Sequence, residues 1–173
     1  TMSVSMYNSS IPVIIRCLDS ISAILEKGAN YAQDQGFDES VLTSARLFPN
    51  MHSLSKQVHI CCDMVGRGGA RLAQSDLPDD GEENSSFADL QARIASTQEF
   101  LRALNQAAIN DSEANEIQVP AGPYQFEMSG YDYLNNWVLP NMYFHMTTTY
   151  NILRHNGVEI GKFDFLGGAS LVG

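Results

Sequence analysis

The chain has 173 residues, 44% of them hydrophobic, with 20 acidic against 10 basic side chains and a formal net charge of -10. That is enough chain for one domain, spanning 1–173, with a sizeable core. The acid excess and the lack of any Lys/Arg cluster argue against nucleic acid or an anionic membrane surface as partner, and no run of about 18 apolar residues marks a membrane span.

Taken in order, the pattern predicts four long helices near 11–35, 50–73, 86–108 and 130–156. Ser10 and Pro12 open the first; Ile14, Leu18, Ile21, Leu25, Ala29 and Ala32 keep its step; Gly36 closes it. Asp38 caps a short extra helix that ends before Pro49. Met51, Leu54, Val58, Cys61, Val65 and Leu72 define the second long helix, on which His52 and His59 lie seven apart and so share a face. Gly66, Gly68 and Gly69 weaken it as a helix but suit close approach to a neighbour. The polar loop from Gln74 to Ser85 carries five carboxylates without calcium-loop spacing. Ser86 with Asp89 opens the third helix, striped by Phe87, Leu90, Ile94, Thr97, Leu101, Leu104 and Ala108. Residues 116–128 alternate around Pro120-Ala-Gly-Pro123 and predict a small β-hairpin, with Tyr124, Phe126 and Met128 as its apolar face. The tail after Gly157 is expected to be non-helical, tied down by Phe163, Phe165 and Leu166.

Cys17, Cys61 and Cys62 form neither a disulfide framework nor a CxxC motif. They read as buried packing in a reducing compartment, which places the protein in the cytoplasm.

The last helix carries the candidate chemistry. Ser129 and Asp132 make a capping-box start, while Arg154, His155 and Gly157 mark its end. Pro140 predicts a kink. One residue later the apolar stripe of Leu134, Trp137, Val138 and Ile152 is interrupted by Asn141 and His145, one turn apart, with Thr148 and Thr149 beyond. A polar cluster on a buried stripe must be hydrogen-bonded or ligand-bound, because burying it unpaired costs roughly 2–7 kcal/mol.

The stretches Pro49-Asn-Met-His-Ser-Leu-Ser-Lys-Gln-Val-His-Ile-Cys-Cys-Asp63, Tyr131-Asp-Tyr-Leu134, His145-Met-Thr-Thr-Thr-Tyr-Asn-Ile-Leu-Arg154 and Gly161-Lys-Phe-Asp-Phe-Leu-Gly167 are similar to the DinB-like superfamily. More specifically they resemble a branch of it catalogued as a domain of unknown function, over residues 3 to 168. The resemblance implies an all-α, DinB-like four-helix bundle in an up-down-down-up arrangement, with the short extra helix and the hairpin as decoration, and often a homodimer. It also implies a divalent metal on three histidines. His59 lies near the second-helix position, His145 matches the later histidine of the last helix, and Asn141 stands where the earlier one would be. An amide is a poor ligand for zinc or nickel.

Two classes of function follow. One is an enzyme acting on a small molecule in a central pocket through His145, His59, Asn141 and Tyr143, either with Zn or Ni on His59 and His145 or with His145 as metal-free general acid or base. The other is a non-catalytic bundle that binds a small apolar ligand or is purely structural, as a dimer that uses exposed aromatic residues such as Phe87 and Phe100.

Overall fold

The computed structural model describes residues 4–79 and 81–167. Helix α1 (Ile11–Gln35) begins with Pro12 in its first turn and ends on Gly36, whose φ of 71° is left-handed. A short α2 (Ser40–Thr43) follows. Helix α3 (Leu54–Ala73) starts four residues later than the periodicity predicts, because the Ser53 hydroxyl accepts from Lys56 N–H and fixes the boundary there. Helix α4 (Phe87–Ala103) has the predicted capping box of Ser86 and Asp89.

The third predicted helix does not run to 108. It ends at Ala103, and after Leu104 and Asn105 a separate α5 (Gln106–Asn110) begins. Asn105 causes the restart: its side-chain oxygen accepts from the backbone N–H groups of Ala107 and Ala108.

Strands β1 (Glu116–Ala121) and β2 (Tyr124–Ser129) form the antiparallel hairpin, with Ile117 opposite Met128 and Val119 opposite Phe126. Its anchor is only partly the expected one: of Tyr124, Phe126 and Met128, Met128 packs against the core. Ile117 and Val119 of β1 are buried, whereas Tyr124 is 68% exposed and Phe126 41%. The inward face therefore meets the bundle through β1, and the tip of β2 overhangs it.

The last helix is composite. After one α-turn, α6 (Gly130–Asp132), residues Tyr133–Val138 adopt the wider π spiral before α7 (Leu139–His155) resumes. Leu139 N–H bonds to Leu134 C=O, five residues back, and the next residue, Pro140, has no N–H to offer. A register shift next to a missing donor is the physical form of the expected kink. Tyr133, 1% exposed, anchors the spiral by accepting a 3.0 Å hydrogen bond from Arg71. Residues beyond Gly157 are not all irregular, since α8 (Lys162–Leu166) forms there with Gly161 N–H donating to the Asp164 carboxylate. Phe165 packs edge-on against Tyr150, but Phe163 and Leu166 are exposed and tie nothing down.

Helix α1 packs against α4 and α7, and α3 packs against the same two. The enclosed core includes Leu18, Ile21, Leu25, Leu54, Val58, Leu90, Ile94, Leu101, Met142 and Ile152. Each fully buried aliphatic side chain of this kind stabilises the fold by about 1.5–3 kcal/mol. Two glycines of α3 permit the close packing. A Cβ at Gly68 would lie 2.8 Å from both methyls of Val138, and one at Gly69 would lie 2.7 Å from Leu101 and Leu104. Phe87 belongs to this core at 3% exposure and Phe100 is half-buried, so neither is the exposed aromatic expected of them. No helix among the described residues is long and apolar enough to cross a membrane.

Candidate functional site

The apolar stripe of α3 meets that of α7 along the bundle, and the polar interruptions of both fall at one level of this seam. The Cys61 thiol points at the Met142 carbonyl at 3.9 Å, and one turn away Gln57 meets His145. Both residues are buried, Gln57 at 1% and His145 at 8% exposure. His145 Nδ1 lies 2.7 Å from Gln57 Oε1. An amide oxygen only accepts, so Nδ1 carries the proton. The amide is held in that orientation because its nitrogen donates to the His52 carbonyl at 3.3 Å.

With the proton on Nδ1, the lone pair of the neutral ring sits on Nε2. That atom has no hydrogen-bond partner among the described residues. Nor is it one of the sealed side-chain polar atoms that lack partners among the described residues, which are His59 Nδ1, Arg93 Nε and Thr149 Oγ1. Burial pushes the His145 pKa below the usual histidine value, and the nearby His52 pushes it in the same direction. Phe144, 57% exposed, presents its ring edge-on to the imidazole at 5.2 Å.

The other predicted site residues do not gather around His145. His59 Nε2 donates to the Asn84 carbonyl at 2.7 Å, and its Nδ1 is sealed without a partner. Its ring therefore ties the acidic loop to α3. Asn141 turns its amide nitrogen back onto its own helix, donating to the Trp137 carbonyl at 2.7 Å beside the π spiral. Tyr143 faces α1: burial, then Cys17, raises its pKa, and Arg16 opposes them. Thr148 bonds to the Phe144 carbonyl, and Thr149 is buried.

Gln57 is the partner that periodicity did not single out; His52, expected to share a helical face with His59, lies before α3 and contributes its backbone carbonyl. Gln57 left one signal, an amide on the edge of the apolar stripe of α3 among Leu54, Val58 and Cys61. Its pairing across the seam depends on the register of two helices distant in sequence.

The domain of unknown function DUF1993 matches residues 6–166. The chain belongs to the DUF1993 family. A crystal structure of a DinB family member protein from Shewanella denitrificans is similar to it at a TM-score of 0.81 and 35% identity, covering 93% of this chain and 91% of that one. No curated protein matches. The DUF1993 chain thus has a DinB-like fold.

In this DUF1993 chain the donors do not fit the three-ligand metal centre that the resemblance implies. Among the described residues no three His, Cys, Asp or Glu side chains form a group able to hold a metal ion. His59 is engaged with Asn84, and the third position is an amide. Asn141→His would add an imidazole one turn from His145 on the same helix. Calorimetry should then show zinc or nickel binding at least tenfold tighter than in the unaltered chain; an unchanged affinity would mean that the two rings do not share a face.

Proposed function

We propose that this protein is a DinB-like bundle that binds a small molecule at the α3–α7 seam and uses His145 as a metal-independent general base and acid. The observation that carries this reading is the Nδ1–H···Oε1 hydrogen bond from His145 to Gln57. It fixes the tautomer and leaves the Nε2 lone pair as proton acceptor. When Nε2 takes a proton from a bound molecule, Gln57 continues to accept from Nδ1, and the imidazolium can return the proton through Nε2. A positioned acid–base group of this kind contributes roughly 10²–10⁴ in rate. Asn141 holds the backbone beside the site, and Tyr143 is assigned no part in the proton transfer.

Diethyl pyrocarbonate acylates unprotonated, solvent-reachable ring nitrogens, and peptide mapping locates the adducts. His145 is expected to react in the folded protein despite its burial, alongside the exposed His52 and His155, while His59 stays unmodified. Modification of His52 and His155 alone would overturn the reading.

We infer the up-down-down-up arrangement from cross-helix pairs. Moving along α3 from Gln57 to Cys61 to Gly68, the partners on α7 and the preceding spiral run backwards through His145, Met142 and Val138. Moving along α1 from Ile15 to Ser22, those on α4 run back from Gln98 to Gln91. Asp63 and Gly69 of α3 pair in ascending order with Arg93 and Leu101 of α4. A cytoplasmic location remains part of the proposal, supported by three buried free cysteines.

The dimeric reading has its own support. Tyr124, Phe126 and Trp137 form a continuous aromatic strip, with ring centroids 6.4 and 5.5 Å apart along it. Exposed apolar strips of this sort mark contact surfaces. Sedimentation at micromolar concentration should show a species of twice the 19.0 kDa chain; a single species at the chain mass would reject the dimer.

A further inference from the structure

On the opposite side of α3 from His145, between α3 and α4, a cavity of about 200 Å³ lies beneath the start of the acidic loop. Cys62 and Gly66 of α3, Pro78 and Asp79 of the loop, and Arg93 and Phe100 of α4 form most of its wall. Pro78 closes it over Gly66, where a Cβ would come within 3.3 Å of the proline ring. Cys62 is 1% exposed.

Arg93 is the unusual member of this wall. One terminal nitrogen forms an ion pair with Asp63, the other donates to the Asp79 carbonyl at 3.5 Å, and Nε is buried with no acceptor among the described residues. A guanidinium N–H sealed without a partner is uncommon and calls for an acceptor that the described residues do not supply. The hydroxyl hydrogens of Ser96 and Thr97 are directed to the Arg93 carbonyl, so neither hydroxyl competes for an acceptor in the cavity. Charge selects the kind of acceptor. Asp63 and Asp79 stand beside Arg93, and Glu82 and Asp89 line an adjoining cavity of about 320 Å³ that shares Arg93 and Ser96. With a chain charge of -10, an anion is repelled here. Volume selects the size, since apolar cavities of roughly 150 Å³ take up benzene.

We propose that this cavity is a second ligand site, separate from His145, for a neutral one-ring molecule whose carbonyl oxygen accepts from Arg93 Nε while its ring lies against Pro78 and Phe100.

The test uses the full chain and three probes: acetophenone, ethylbenzene of nearly the same shape without the oxygen, and benzoate. Binding is followed by calorimetry. Acetophenone should bind about tenfold more tightly than ethylbenzene, the effect of one hydrogen bond to a charged donor. It should also bind more tightly than benzoate. Ser96→Phe, at the exposed rim, should abolish binding, and Arg93→Met should remove the preference for the ketone. Should Arg93→Met fail to fold, the probe order in the unaltered chain and the loss in Ser96→Phe still decide. Equal binding of ethylbenzene, tighter binding of benzoate, or no binding of any probe would overturn the proposal.

Discussion

Gly130→Ala should lower the stability of the folded chain by about 3 kcal/mol, at the upper end of what overpacking one methyl into a closed site costs. The position needs no unusual backbone; the obstacle is space. A Cβ at Gly130 would fall well inside van der Waals contact of the Ser112 carbonyl oxygen. That carbonyl cannot retreat easily, because it accepts from Asn115 N–H, while Gly130 N–H donates to the Asn115 carbonyl at 2.9 Å and Tyr131 N–H to that of Glu113 at 3.0 Å. These bonds dock the turn after α5 against the start of the last helix and so set where the π spiral begins. For a chain of this length the loss corresponds to a fall of roughly 6–12 °C in Tm. An unchanged melting curve would show that the turn moves aside freely.

Gln57 carries the second large effect. Gln57→Leu keeps the volume approximately but leaves His145 Nδ1–H buried with no acceptor, a loss of about 1–3 kcal/mol. Gln57→Glu places a carboxylate against the same nitrogen, favours the imidazolium and raises the His145 pKa. The two variants therefore move the ring's titration in opposite directions, Leu downward and Glu upward. The unaltered chain should show the corresponding pH dependence of stability. Its folded-state pKa for His145 is depressed, so between that value and the ordinary histidine value the unfolded chain binds more protons. The contribution of the neutral ring is thus complete above the ordinary value and is lost as pH falls through the window below it. Denaturant midpoints measured across this range should fall on acidification in the unaltered chain, and Gln57→Glu should weaken or reverse that trend.

The bundle was legible because its signals are local. Helix periods, the glycine after α1, and the Ser86 and Ser129 caps depend on neighbours within a turn, and α1, the hairpin bounds and the last-helix start stand where those residues predict. The departures also have local causes that compete with periodicity: Ser53 and Asn105 claim backbone N–H groups and reset helix starts, and the last helix shifts register next to Pro140, which has no N–H. The candidate site was half legible. A histidine interrupting an apolar stripe marks His145, but whether His59 or Gln57 faces it depends on how α3 is rotated against α7. Two positions of α3, about 200° around the helix, separate Gln57, which meets α7, from His59, which meets the acidic loop, and both are buried. Tyr143 shows the same limit on α7, where two positions before His145 is enough to turn a side chain toward α1.

The most direct measurement is long-range ¹⁵N–¹H NMR of the His145 ring, followed through a pH titration. The account predicts a neutral ring at pH 7, protonated on Nδ1 and bare on Nε2, with a midpoint below that of an exposed histidine, and a shift of that midpoint upward in Gln57→Glu. A ring protonated on Nε2, or one that titrates above the ordinary histidine value in the unaltered chain, would contradict it.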